Sequence, residues 1–198
     1  MFRAVLTLTL LAGPVAAAAQ SPAEDAQRLF EAGQYAQVAA LAGPDAGPEV
    51  VYLAAQAEQR LGAAPQAAAL YERLGAQNPG GPWEAIGQAA RQVLDNQLDP
   101  ALATAREAVA RNGMLPETHY QLGLVLARRQ EWAPAAAAFD RANELQPRLA
   151  YAYYYAGLMY SRLQRAAEMS VRFETFLRLA PEAPERPEIV SIMRTLRR

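Results

Sequence analysis

Cysteine and lysine are both missing from this chain of 198 residues. Without cysteine there is no disulfide framework, no thiolate metal site and no lipid-modified cysteine at a processed N-terminus. Histidine occurs once, as His119. A lone imidazole assembles no metal centre, so it reads as a packed core or interface side chain. A net charge of −1 offers no basic footprint for nucleic acid. All 19 basic residues are arginine, which reads as genome composition rather than function. No serine stands in a G-x-S-x-G elbow. Gly80-Gly81 runs into Pro82 and reads as a turn, not a phosphate loop. Glu72, Glu107 and Glu144 are scattered over helical stretches as solvated faces. These absences leave no visible catalytic apparatus and imply no cofactor.

Long apolar runs are also scarce, with one exception at the N-terminus. Arg3 precedes an apolar run from Ala4 to Leu11, which Gly13-Pro14 breaks. Ala17-Ala18-Ala19 then offers a small-residue cleavage site before Gln20. The run is shorter than the roughly 20 residues that span a bilayer. We read residues 1–19 as a cleavable export signal and expect a periplasmic, cell-envelope or extracellular protein. A buried first helix and an uncleaved anchor are the alternatives. No stable membrane span is expected after cleavage.

What is abundant is apolar residue, at 52% of the chain, much of it alanine. Alanine favours helix and buries little area, which suits many closely packed helices. A fixed period organises them. Pro147 and Pro181 are 34 residues apart, and Pro79 lies two such steps before Pro147. Ala55, Ala89, Gly123 and Gly157 step by 34, as do Ala67, Ala101, Ala135 and Met169, and Tyr71, Ala105, Phe139 and Phe173. Four blocks therefore run in phase: 48–81, 82–115, 116–149 and 150–183. Gly33 and Tyr35 mark a shortened unit over 20–47. Small residues would let helix backbones approach, and large ones would fill the wedge between them. Pro79, Pro147 and Pro181 would end second helices. Pro65, Pro100 and Pro134 would lie near the starts of second helices, with Asp99 as an N-cap. Ser21 and Glu24 have capping-box spacing.

The block from 116 carries His119, Leu122, Gly123 and Leu126, then Ala135, Phe139 and Pro147. The block from 150 carries Tyr153, Ala156, Gly157 and Tyr160, then Met169, Phe173 and Pro181. This order resembles the tetratricopeptide repeat, W-x2-L-G-x2-Y, then A-x3-F, then P. The block from 82 departs most, holding its places with Ala85, Gln88, Ala89 and Ala105. The resemblance covers residues 22–183. It implies an all-α, right-handed solenoid of antiparallel helix pairs. Residues 184–198 are expected to form a C-terminal capping helix: Ile189, Ile192, Met193 and Leu196 share one face. Arg194, Arg197 and Arg198 take polar or last-turn positions.

The resemblance further implies that first helices line a concave face, with the fifth position pointing inward. Those positions are Tyr52, Ile86, Tyr120 and Tyr154; the ninth positions include Gln56, Leu124 and Leu158; the thirteenth include Arg60, Arg128 and Arg162. With Tyr151 they make a candidate groove of aromatic and apolar side chains beside arginines. Such a wall would suit a protein or peptide with apolar anchors and acidic groups. The same residues could instead be repeat packing. The family's clamp for chaperone C-termini uses Lys and Asn at the fifth and ninth positions, and neither is present. The expectation is a non-enzymatic interaction scaffold of the bacterial envelope. A self-assembling, homo-oligomeric subunit and an atypical enzyme stay open beside it.

Overall fold

A computed structural model describes residues 21–196; the proposed export signal and Arg197 and Arg198 lie outside them. The first unit is α1 (Pro22–Glu31) with α2 (Tyr35–Ala40). Four full pairs follow: α3 (Pro48–Arg60) with α4 (Ala64–Gln77), and α5 (Pro82–Leu94) with α6 (Leu98–Arg111). Then come α7 (Pro116–Arg128) with α8 (Trp132–Leu145), and α9 (Ala150–Arg162) with α10 (Ala166–Leu179). A last helix, α11 (Arg186–Leu196), follows. No strand occurs among the described residues.

Local chemistry sets these boundaries. Ser21 and Glu24 form the expected capping box: the Ser21 amide donates to the Glu24 carboxylate at 2.8 Å, and the Glu24 amide to the Ser21 hydroxyl at 3.2 Å. Pro48, Pro82 and Pro116 open α3, α5 and α7, where a missing N–H leaves no helical bond unmade. Pro65, Pro100 and Pro134 fall in the first turns of α4, α6 and α8. Asp99 is not the cap expected of it. Gln97 holds that place, and Asp99 sits inside the first turn, paired with Arg129. Each second helix that ends before Pro79, Pro147 or Pro181 stops two residues short of the proline.

The turn inside each full pair is built on one left-handed residue: Gly62, Asn96, Gln130 and Gln164, with φ of 77°, 57°, 63° and 59°. These positions again step by 34. The next amide reaches back to close the turn, as from Glu131 to the Leu126 carbonyl at 2.9 Å. Glycine takes this conformation without strain; Gln130 and Gln164 take it against the clash of their own Cβ.

Packing follows the small-and-large pattern. A Cβ at Gly123 would lie 2.7 Å from the Phe139 ring, and one at Gly157 would lie 2.5 Å from Phe173. Both rings are fully buried. Ala55 and Ala89 are fully buried at the equivalent places. Ile189 and Met193 of α11 are buried, with Ile192 packed beside them. The described part of the chain thus ends in the apolar face expected of a cap; the Leu196 side chain lies outside the described residues.

Candidate functional site

The inner wall is where the structure departs from the sequence expectation. Tyr52, Ile86, Tyr120 and Tyr151 are between 0% and 3% exposed, and Gln56 is 9% exposed. Tyr154, Leu124 and Leu158 are half-buried, packed against the core. The aromatic stripe is a continuous part of the protein's own interior. Tyr120 meets Phe139 edge-on at 5.7 Å, Phe139 stacks on Tyr155 at 5.4 Å, and Tyr154 meets Phe176 at 5.3 Å. Truncating Tyr120 would excavate this core rather than remove a partner contact. His119 is half-buried, and its Nε2–H donates to the Gly113 carbonyl at 3.0 Å.

The wall is filled because the stack bends far enough for its two ends to touch. Phe30 of α1 packs edge-on against Tyr151 of α9 at 5.1 Å. The Tyr35 and Tyr151 hydroxyls lie 3.4 Å apart. Pro184, in the loop before α11, covers Gly33 so closely that a Cβ there would sit 3.1 Å from its ring. Tyr52 donates to the Gln121 side-chain carbonyl at 2.8 Å, joining α3 to α7 across the inside.

The three groove arginines do not form one receptor for acidic groups. Arg60 donates to Glu185 at 2.6 Å and to the Tyr155 hydroxyl at 3.0 Å, with Tyr151 under its guanidinium at 5.2 Å. Tyr151 donates to the other Glu185 oxygen at 2.8 Å. Burial works against the Arg60 charge, but Tyr155, Tyr35 and Glu185 outweigh it. Arg162 lies over the Trp132 ring at 5.8 Å, and Arg128 is exposed at its helix end.

One cleft stays open between the first unit and the inner ends of later repeats. It has a volume of about 490 Å³. α1 contributes Gln27, Phe30 and Glu31; α3 contributes Glu49, Tyr52 and Gln56; α7 contributes Glu117 and Tyr120; Arg148 stands at the approach to α9. Its volume falls in the range of small-ligand sites, and its walls combine aromatic and apolar surface with polar groups.

Those polar groups are electrostatically unusual. Burial raises the Glu117 carboxyl to about 7, against a bond from its own amide and with the Glu49 charge adding to the rise. Glu117 Oε2 is shut off from solvent and bonds to no other described residue. Burial also raises Glu31, opposed by the Gln27 amide, which donates at 2.7 Å, by the Ala150 amide and by Arg148. Among the described residues no group of three or more His, Asp or Glu is placed to hold a metal. No described helix is long and apolar enough to cross a membrane.

The position-based reading missed Glu49 and Glu117. Both are second in their repeats, follow an opening proline and stand two 34-residue steps apart. The recurring Pro-Glu pair was the available signal. Glu31 and Arg148 carried none, because only closure of the stack brings α1 beside α9.

Comparison with solved structures identifies the architecture as the tetratricopeptide-repeat solenoid. A thermophilic repeat protein of this class from Thermus thermophilus superposes with a TM-score of 0.63 at 22% identity, covering 87% of this chain and 97% of that one. The first such domain of Spaghetti (RPAP3), solved with the HSP90 peptide SRMEEVD, gives 0.57 at 18% identity, covering 61% and 97%. A chain of the CopN–Scc3 complex gives 0.53 at 19% identity, covering 62% and 74%. No family model matches the sequence, and no curated protein matches it.

Proposed function

We propose that the chain is a non-catalytic interaction module of the bacterial cell envelope that holds a segment of a partner protein. The observation that carries this reading is the cleft between α1, α3 and α7, a sizeable recess along an inner wall otherwise filled by tyrosine and phenylalanine. Polar groups ring an aromatic floor, the composition of a recognition site. Two structural neighbours support it by analogy of fold, since one was solved with a bound peptide and the other in a protein complex. The envelope assignment is supported by the charged start, short apolar run and Ala17-Ala18-Ala19 of the N-terminus.

The test separates these two parts. A photo-crosslinking amino acid at Leu53, on the cleft wall, should capture a partner from envelope extract; the same group at exposed Arg106, on α6, should not. Equal capture from both positions would reject the cleft. Residues 1–20 fused ahead of an alkaline phosphatase reporter should give an active, exported enzyme. An inactive fusion would remove the envelope assignment and leave the module reading standing.

A further inference from the structure

The cleft carries a charge pattern opposite to the one the sequence suggested. Six ionisable carboxylate and guanidinium groups face it: Glu24, Arg28 and Glu31 from α1, Glu49 from α3, Glu117 from α7, and Arg148 before α9. Half are already engaged. Glu24 caps the Ser21 amide, Arg28 pairs with Asp25 at 3.3 Å, and Glu31 is held by Gln27 and the Ala150 amide. Arg148 is exposed at the mouth. What remains inside is Glu117 with its partnerless oxygen, and Glu49 close enough to raise it. Beside them is the side chain of Gln56, 9% exposed. Phenol groups of Tyr52, Tyr120 and Tyr151 complete the wall.

A buried carboxylate oxygen left without a partner destabilises the empty protein. An incoming donor would satisfy it. The carboxylates are too dispersed to enclose a metal ion, but they suit a flat or extended organic cation with several N–H groups. Aromatic walls add cation–π attraction for such a guest.

We propose that this cleft receives the basic side chain of a partner segment, an arginine guanidinium or lysine ammonium, with Glu117 and Glu49 as counter-charges and Gln56 as a neutral acceptor. The inference rests on the module reading and specifies its partner: a basic segment with apolar flanks, not an acidic one. Glu117 surrenders its proton when the cation arrives, so binding strengthens as pH rises through about 7.

The experiment titrates the purified chain with a capped alanine-rich pentapeptide bearing one central arginine. Its citrulline counterpart has nearly the same shape and no charge. N-acetyl-arginine methylamide serves as the free-cation arm. Binding is followed by calorimetry and by the NMR signals of the Gln56 side chain and the Glu117 amide. The arginine peptide should bind saturably and shift both signals, with citrulline about tenfold weaker or worse. Glu117→Gln should weaken the arginine peptide by about tenfold and flatten its rise in affinity from pH 6 to pH 8. Glu49→Gln should weaken it less, giving a second, independent variant. Equal binding of arginine and citrulline peptides, shifts confined to other surfaces, or affinity weaker than about 1 mM for both would overturn the proposal. If those peptides fail while the Leu53 crosslinker still captures a protein, the cation assignment falls and the module survives. If the peptide and the methylamide bind with equal affinity, the cleft serves free cations and the partner-segment claim is withdrawn.

Discussion

Arg60 and Glu185 are separated by 125 residues of chain, yet their side chains meet at 2.6 Å. One ends the first helix of the first full repeat, and the other lies between α10 and α11. Glu185 is 10% exposed and Arg60 29% exposed at the side chain, so this contact is shielded. Tyr35, Tyr151 and Tyr155 surround it and tie α2 and α9 to the same point.

Breaking that junction should loosen the first unit before it loosens anything else. Glu185→Gln is expected to lower global stability by about 1–3 kcal/mol, because the Arg60 guanidinium would be left without its charge partner. Hydrogen exchange over residues 22–40 should rise more than over α5 and α6. Uniform exchange with an unchanged urea midpoint would show that the ends are not coupled through this pair.

Glu117 gives stability a pH slope of known sign. Its carboxyl titrates near 7 in the folded protein against an ordinary value of 4.5, so the folded state holds a proton that the unfolded chain has released. The stabilisation is fully present below 4.5 and is lost as pH rises through about 7. At about 1.4 kcal/mol per pH unit the loss is at most about 3.5 kcal/mol. Glu31 is raised too and contributes in the same direction. The share of Glu117 is therefore the difference between wild type and Glu117→Gln in urea unfolding at pH 5.5 and pH 8. Parallel pH profiles for the two proteins would contradict the assignment.

Asn143 is 6% exposed inside α8, and neither atom of its amide group has a hydrogen-bond partner among the described residues. Leucine has the same branched outline without the polar atoms. Asn143→Leu should raise stability by about 1–2 kcal/mol, read as a higher urea midpoint at unchanged slope. A lower midpoint would mean that the amide has a use in the folded state.

The repeat architecture was legible because each feature answers to neighbours close in sequence. Gly157 must be small for Phe173, Pro147 must follow a finished helix, and Ser21 and Glu24 cap each other within one turn. A face shared by the fifth positions was legible as well, and Tyr52, Ile86 and Tyr120 on it are buried. Whether that face would be vacant was not. Vacancy depends on how sharply the stack curves, and curvature sums small rotations over every pair. Nothing near Tyr120 or Arg60 in sequence encodes that Phe30 or Glu185 will arrive beside the inner wall. Asp99 failed as a cap for a smaller reason: α6 begins two residues earlier than such a cap requires, at Leu98, so its carboxylate pairs with Arg129 instead.

Arrays of this type ordinarily lengthen by copying a unit in the gene. That route is obstructed here. Because Gly33 rests on Pro184 and Arg60 grips Glu185, one extra helix pair would carry each of these residues past its mate and strip the interior bare. The number of storeys between the two halves of the clasp is thus held fixed, and diversification there must proceed through the cleft lining and the loop tips instead.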